Sequence, residues 1–343
     1  MKRSRTTRNL LLFFIFVMAT IFTPDQYLDL FRYYQEANSI NLGMSLEEVY
    51  NEYMSRSSDF IYFTTYYIFR LIGLPVHLVN GLYVTLFYGA SFILLEDYVN
   101  TQESVKPRDI NVAMTCMIFA LPLTFVFSIA RMTASFALIF LGLHMLINNK
   151  KIVGTLLIGS GILTHVGSVM MLSYLAISIL AGFFMSSWKL TRKHNIFGLI
   201  LLSGFAYVFL IYGVQMILEL PFFSTYKYFA TYLENMRTAS MEGLGGITSI
   251  TLLYYLFCVI FFAWRANLVF PYNTSLYLIP FLIMSYFMSD MFLQRMSMFM
   301  IPFFGISMIG ATKKSQNLQL LITALAVFLG CSCIVATNRF YLP

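Results

Sequence analysis

The chain has 343 residues, of which 59% are hydrophobic and only 11% charged, and its formal net charge is +7. With a mean hydropathy of +0.75, against about 25% charged residues in soluble domains, this composition excludes a soluble globular protein. Apolar runs of about 14 to 20 residues recur along nearly the whole length, the signature of helical spans and not the weak alternation of a barrel.

The first run follows Lys2, Arg3, Arg5 and Arg8 and has no small-x-small cleavage site before Pro24, so it reads as an uncleaved anchor with its basic end inside. A polar outer stretch, 24–58, comes next. In it Ser45 and Glu48 have capping-box spacing, and Arg32, Arg56, Glu47, Glu48 and Glu52 read as ordinary outer-loop charges. Residues 59–74 are aromatic and amphipathic. Counting them as a full span would put most later basic loops outside, so they are expected to form a re-entrant or interfacial helix, ended by Pro75.

Spans are expected at 76–95, 110–127 and 131–148, running inward, outward and inward. The run 152–188 is too long for one crossing and splits near 166–168, which leaves His165 at the outer end of a pair. After basic residues at Lys189, Arg192 and Lys193, a span at 196–215 leads to a second outer loop, 216–247. That loop carries Lys227, Tyr228, Tyr232, Arg237 and a glycine-rich turn at 243–246. Spans at 248–264 and 272–289 flank Arg265. An outer turn is expected from Asp290 to Arg295, then spans at 296–311 and 318–336 with Lys313 and Lys314 between them.

The expected fold is therefore an all-α polytopic membrane protein, one membrane domain over 1–343. It has about eleven transmembrane helices plus the re-entrant or interfacial helix, with the N-terminus in and the C-terminus out. On this topology 14 of the 22 Lys and Arg fall in inner loops and 11 of the 15 Asp and Glu lie on the outer side, a strong positive-inside bias. That bias accounts for the excess basic charge and removes nucleic acid as a partner. Cys116, Cys258, Cys331 and Cys333 lie in apolar runs without ligand spacing and read as small core residues.

Ionisable groups at membrane depth cost roughly 2.5–3.5 kcal/mol on insertion scales and are functional by default. Arg131 opens one apolar run and His165 interrupts another. The bland readings are an arginine that snorkels to the interface and a hydrogen-bonded core imidazole. The expected topology brings Arg131, His165, Lys227, Arg237 and Arg295 to the outer face, with Asp29 among nearby carboxylates. Clustered cations at headgroup level suit an anion, and arginine binds phosphate bidentately, so a lipid-linked diphosphate is the natural ligand.

The order of these features resembles the EpsG group of Wzy-type polysaccharide polymerases. The matching elements are Asp29 with Tyr33 and Tyr34, then Asp59-Phe60, then Ile129 and Arg131 followed by Thr133 and Ala134. After them come Thr164-His165 with Gly167 and Ser168, Lys227-Tyr228 with Tyr232, and the late Arg295. The chain departs from the pattern at Ala130 and Met132, where the family often has Ile and Gln around the arginine, and it lacks an additional N-terminal span that such proteins often carry.

The resemblance implies a membrane glycosyltransferase with a GT-C-like fold in the bacterial cytoplasmic membrane. It would transfer a growing glycan from undecaprenyl diphosphate to the next lipid-linked repeat unit. The implied roles are His165 or Asp29 as the base, and Arg131 and Arg295, assisted by Lys227 or Arg237, on the diphosphate. Tyr33, Tyr34, Tyr228 and Tyr232 are candidates to stack on sugars. No cofactor and no metal are expected. The expected partners are the undecaprenyl-diphosphate-linked glycan and membrane lipids, with a chain-length regulator and a flippase as further ones. The alternatives are a lipid-linked oligosaccharide flippase, or another membrane glycosyltransferase or an acyltransferase.

Overall fold

A computed structural model describes residues 2–24, 29–39, 43–49, 51, 60–102, 105–165, 167–187, 246–266, 272–288 and 290–312. They form helices, in two compact units. One runs to Met170 and resumes at Thr312, and the other runs from Met171 to Ala311. The expected spans at 196–215 and 318–336, and the loop 216–247 with Lys227, Tyr228, Tyr232 and Arg237, lie outside the described residues.

The first unit starts with α1 (Lys2–Thr20), α2 (Asp29–Ser39) and the single turn α3 (Leu46–Val49). The capping box opens α3: the Ser45 N–H donates to the Glu48 carboxylate at 2.6 Å, and the Glu48 N–H donates to the Ser45 hydroxyl at 3.3 Å. Next come α4 (Phe60–Leu71) and α5 (His77–Asn100). The 12 residues of α4 extend about 18 Å, well short of a hydrocarbon core of roughly 30 Å. A Schellman motif ends α4, with Gly73 at φ +75°. In it Leu74 N–H donates to Phe69 at 2.8 Å and Gly73 N–H to Arg70 at 3.0 Å.

Then follow α6 (Pro107–Phe119), α7 (Leu123–Ser128), α8 (Ala130–Ile147) and α9 (Lys151–Thr164). The continuous span expected at 110–127 is instead two helices. Pro122, which has no N–H to give and restricts the residue before it, interrupts it. Asn149, at φ 61°, makes the turn from α8 to α9 in a second Schellman motif, since asparagine tolerates the left-handed region.

Contacts fix the relative directions of these helices. Phe14 meets Phe119 and Phe22 meets Phe127, so α1 runs parallel to α6 and α7. Arg8 grips Glu96 through two bonds of 2.9 and 3.0 Å, while Asn80 Nδ2 donates to the Ala19 carbonyl at 3.2 Å, so α5 returns antiparallel to α1. Phe87 meets Phe140 and Asp97 pairs with His144 at 2.6 Å, so α8 runs alongside α5. The ion pair Arg8–Glu96 and the hydrogen-bonded pair Asp97–His144 thus share one end of the unit.

In the second unit α10 (Ser168–Ser187) packs on α12 (Thr274–Met288), where Tyr174 stacks on Phe281 at 4.5 Å and the Ser178 hydroxyl donates to Tyr277. The other helices are α11 (Gly246–Arg265), α13 (Asp290–Phe299) and α14 (Ile301–Thr312). Arg295 therefore lies inside a helix and not in the outer turn expected at 290–295. The stretch around it, MFLQRM, contains no glycine or proline and favours helix.

Among the described residues two helices, α5 and α8, are long and apolar enough to cross a membrane. Leu10 and Phe13 on α1, Ile152, Leu156 and Leu163 on α9, and Phe257 on α11 are large apolar side chains left exposed. Apolar surface of this extent requires an apolar partner, and in an apolar chain of this composition that partner is lipid.

Candidate functional site

The site is built on the α8–α9 pair. Ser135, Ile139 and Gly142 on α8 face Gly161, Ile158 and Gly154 on α9, each set spaced to line one helix face. A Cβ on Gly142 would sit 2.8 Å from the Gly154 carbonyl, and one on Gly154 would sit 2.9 Å from the Gly142 carbonyl. Small residues let the two backbones touch, the usual basis of close helix packing in membranes. The Ser135 hydroxyl donates to the Gly161 carbonyl at 2.7 Å. This antiparallel register sets Arg131, one turn before Ser135, level with His165, one turn past Gly161.

His165 ends α9 in an extended conformation and is 9% exposed. Its N–H donates to the Gly161 carbonyl at 3.2 Å, and its own carbonyl accepts the Ser168 N–H at 3.0 Å and the Ser168 hydroxyl at 2.7 Å. Both sides of the break are therefore tied, and the imidazole hangs from a fixed backbone.

Arg131 reaches α2. Its guanidinium carbon lies 4.1 Å from the centroid of the Tyr33 ring, a cation–π contact. Tyr33 is 2% exposed, with its ring set edgewise to Tyr62 at 5.6 Å and Phe63 at 6.3 Å. Tyr62 in turn stacks on Tyr83 at 5.7 Å and shares a hydroxyl contact of 2.9 Å with Tyr66. A line of side chains from α5 through α4 and α2 thus ends under the Arg131 guanidinium. Arg70 of α4 secures α2 from below, donating to the carbonyls of Ala37 and Asn38 at 2.6 and 2.8 Å. Those are carbonyls of the last turn of α2, where a cation is favoured.

The rings expected as sugar platforms, Tyr33 and Tyr34, have protein neighbours in this structure. Tyr33 carries Arg131 on one face. Tyr34 is packed against Tyr66 with its hydroxyl buried, beside Asn80 but outside hydrogen-bonding geometry, and burial pushes its phenol above the ordinary range. Asp29 opens α2 one turn before Tyr33. Arg295 lies in the second unit, 8% exposed, on a helix tied to α11 by the Tyr255 hydroxyl, which donates to the Ser297 carbonyl at 3.0 Å. Among the described residues no three His, Cys, Asp or Glu side chains gather closely enough to hold a metal ion.

Sequence reasoning missed Ser135 and the support that Tyr33 gives Arg131. The repeat of small residues at Gly154 and Gly161 was a signal for the first; no local signal marks the second.

The described residues are those of a helical membrane protein that sets an arginine and a histidine level on neighbouring helices, over an aromatic support. More particularly, the chain belongs to the EpsG family, which it matches over residues 8–342. Membership places it among polysaccharide polymerases, glycosyltransferase-like enzymes of surface polysaccharide biosynthesis. No curated protein and no solved structure matches the chain.

Proposed function

We propose that this protein polymerises undecaprenyl-diphosphate-linked repeat units at the outer face of the bacterial cytoplasmic membrane. The observation that carries this reading is the level placement of Arg131 and His165 at one end of the α8–α9 pair, with Tyr33 beneath the guanidinium.

In the proposed reaction an acceptor hydroxyl oxygen attacks the anomeric carbon of the donor glycan. The bond from that carbon to the diphosphate oxygen breaks, its electron pair leaves with the diphosphate, and the hydroxyl proton passes to a base. Charge grows on the leaving group, so fixed cations aimed at it lower the barrier. Arg131 and Arg295 take that role, assisted by Lys227 or Arg237. His165 or Asp29 receives the proton; in the first case the tied backbone of His165 holds the ring, and in the second His165 serves as a further cation. Tyr33 supports Arg131, and sugar stacking falls to Tyr228 and Tyr232.

Deletion in the native host, followed by gel analysis of surface polysaccharide, tests the reading. The expected result is loss of the long-chain ladder with single capped repeat units retained. Loss of all surface glycan, with units held on the inner face, would identify a flippase instead.

A further inference from the structure

Arg131 is not the only guanidinium that Tyr33 gathers. The guanidinium carbon of Arg32 lies 5.1 Å from the same ring centroid, and Arg32 Nη2 donates to the Tyr33 hydroxyl at 3.1 Å. With Arg131 at 4.1 Å from that centroid, the two guanidiniums stand within about 9 Å of each other, close enough for their like charges to interact. Both lie over the ring, and Arg32 is held further by its bond to the ring hydroxyl, so a single buried tyrosine sets the spacing between them. The side chain of Arg32 is 57% exposed, and Glu36, one turn on, is one carboxylate neighbour, at 3.7 Å. That separation makes a loose ion pair, which an incoming anion can replace.

We propose that Arg32 and Arg131 form a two-arginine clamp on the diphosphate of a lipid-linked substrate, spaced by Tyr33, with Glu36 holding Arg32 until the diphosphate arrives. The clamp rests on the reading of Arg131 as a diphosphate ligand and adds Arg32, on the outer helix α2, to it. Two separated forks match the two phosphoryl groups of a diphosphate better than the one of a monophosphate. The clamp therefore favours a diphosphate-linked lipid over the monophosphate carrier.

The test uses the full-length protein in phosphatidylcholine nanodiscs, with farnesyl diphosphate and farnesyl monophosphate as probes and binding followed by calorimetry. Arg32→Ala is expected to weaken diphosphate binding about tenfold or more, the scale of a lost charge-assisted hydrogen bond, while monophosphate binding changes by less than about threefold. Glu36→Gln is expected to bind diphosphate as tightly as the parent protein or more tightly, and its melting temperature reports folding separately. Unchanged diphosphate affinity in Arg32→Ala, with loss in Arg131→Ala, overturns the clamp and leaves the Arg131 reading standing. Unchanged affinity in both overturns both. If phosphatidylglycerol added to the nanodiscs displaces farnesyl diphosphate from the parent protein but not from Arg32→Ala, the occupant is a headgroup phosphate and the assignment to substrate is overturned.

Discussion

The Ser135 hydroxyl meets the Gly161 carbonyl at 2.7 Å, and the register this bond fixes between α8 and α9 is what sets Arg131 level with His165. A Cβ on Gly161 would lie 2.9 Å from the Ser135 carbonyl and 2.8 Å from Ile139 Cγ1. Gly161→Val should therefore force the helices apart, with a loss of about 1–3 kcal/mol for overpacking and loss of polymer. Gly159 has nothing within 4 Å of its Cβ position, so Gly159→Ala should be neutral or slightly stabilising, because alanine suits a helix better than glycine by roughly 0.5–1 kcal/mol. Thermal unfolding in detergent and the polysaccharide ladder measure both. Equal behaviour of the two variants would remove the role given to the register.

Tyr33 offers a second test. Tyr33→Phe keeps an aromatic face under Arg131, whereas Tyr33→Leu removes it. A cation–π contact is worth about 0.5–2 kcal/mol, so the leucine variant should lose roughly 2- to 30-fold in elongation rate. The phenylalanine variant should stay closer to the parent. Rates measured on isolated membranes with a lipid-linked substrate decide it, and a leucine variant as active as the parent would sink the positioning role.

Arg131→Ala and Arg295→Ala should each abolish chain elongation while the protein stays in the membrane at normal levels. Immunoblots of membrane fractions together with the ladder check this. Full activity in both variants would overturn the site.

The ionic end of the first unit gives a contrasting expectation. Glu96→Gln removes the charge and one of the two acceptor oxygens facing Arg8; because both side chains are only about one quarter exposed, the loss of stability should be about 1–3 kcal/mol. The pair lies at the opposite end of α5 from the Tyr33–Tyr62–Tyr83 contacts, so the polysaccharide ladder should be unchanged.

Glu48 supplies a dependence on pH. The Ser45 N–H and hydroxyl beside it hold its carboxyl below the usual carboxylate range. Its folded value is depressed, so the stability this cap gives α3 is fully present above the ordinary carboxylate range and is lost as pH falls through the lowered value. Amide exchange at Glu48 should accelerate on acidification beyond the ordinary pH dependence of exchange, and Ser45→Ala, which keeps the N–H but removes the hydroxyl, should reduce that extra acceleration.

What could be read ahead of the structure was local. The Ser45–Glu48 box, the start of α8 beside Arg131 and the break after His165 all depend on residues within a turn or two of one another, and each appears where its spacing indicates. The missed helix break at Pro122 was equally local, but the hydropathy of 110–127 masked it. Helix α13 was missed for a related reason: Asp290 and Arg295 are charged enough to suggest a turn, while the residues between them favour helix. The placement of Arg131 on Tyr33 joins residues 98 positions apart, and the Arg8–Glu96 pair joins residues 88 apart. No periodicity carries such information, because tertiary packing alone chooses among the many rings and carboxylates available.

The distance from Arg8 to Glu96 has a consequence for biogenesis. At roughly 5–20 residues per second, the ribosome takes about 4 to 18 seconds to supply Glu96 after Arg8. During that interval α1 is already at the insertion machinery without its partner. Closure of the ionic end therefore belongs to helix assembly within the bilayer and not to insertion. A chain truncated before Glu96 should still integrate its first helix, but without the carboxylate that closes on Arg8.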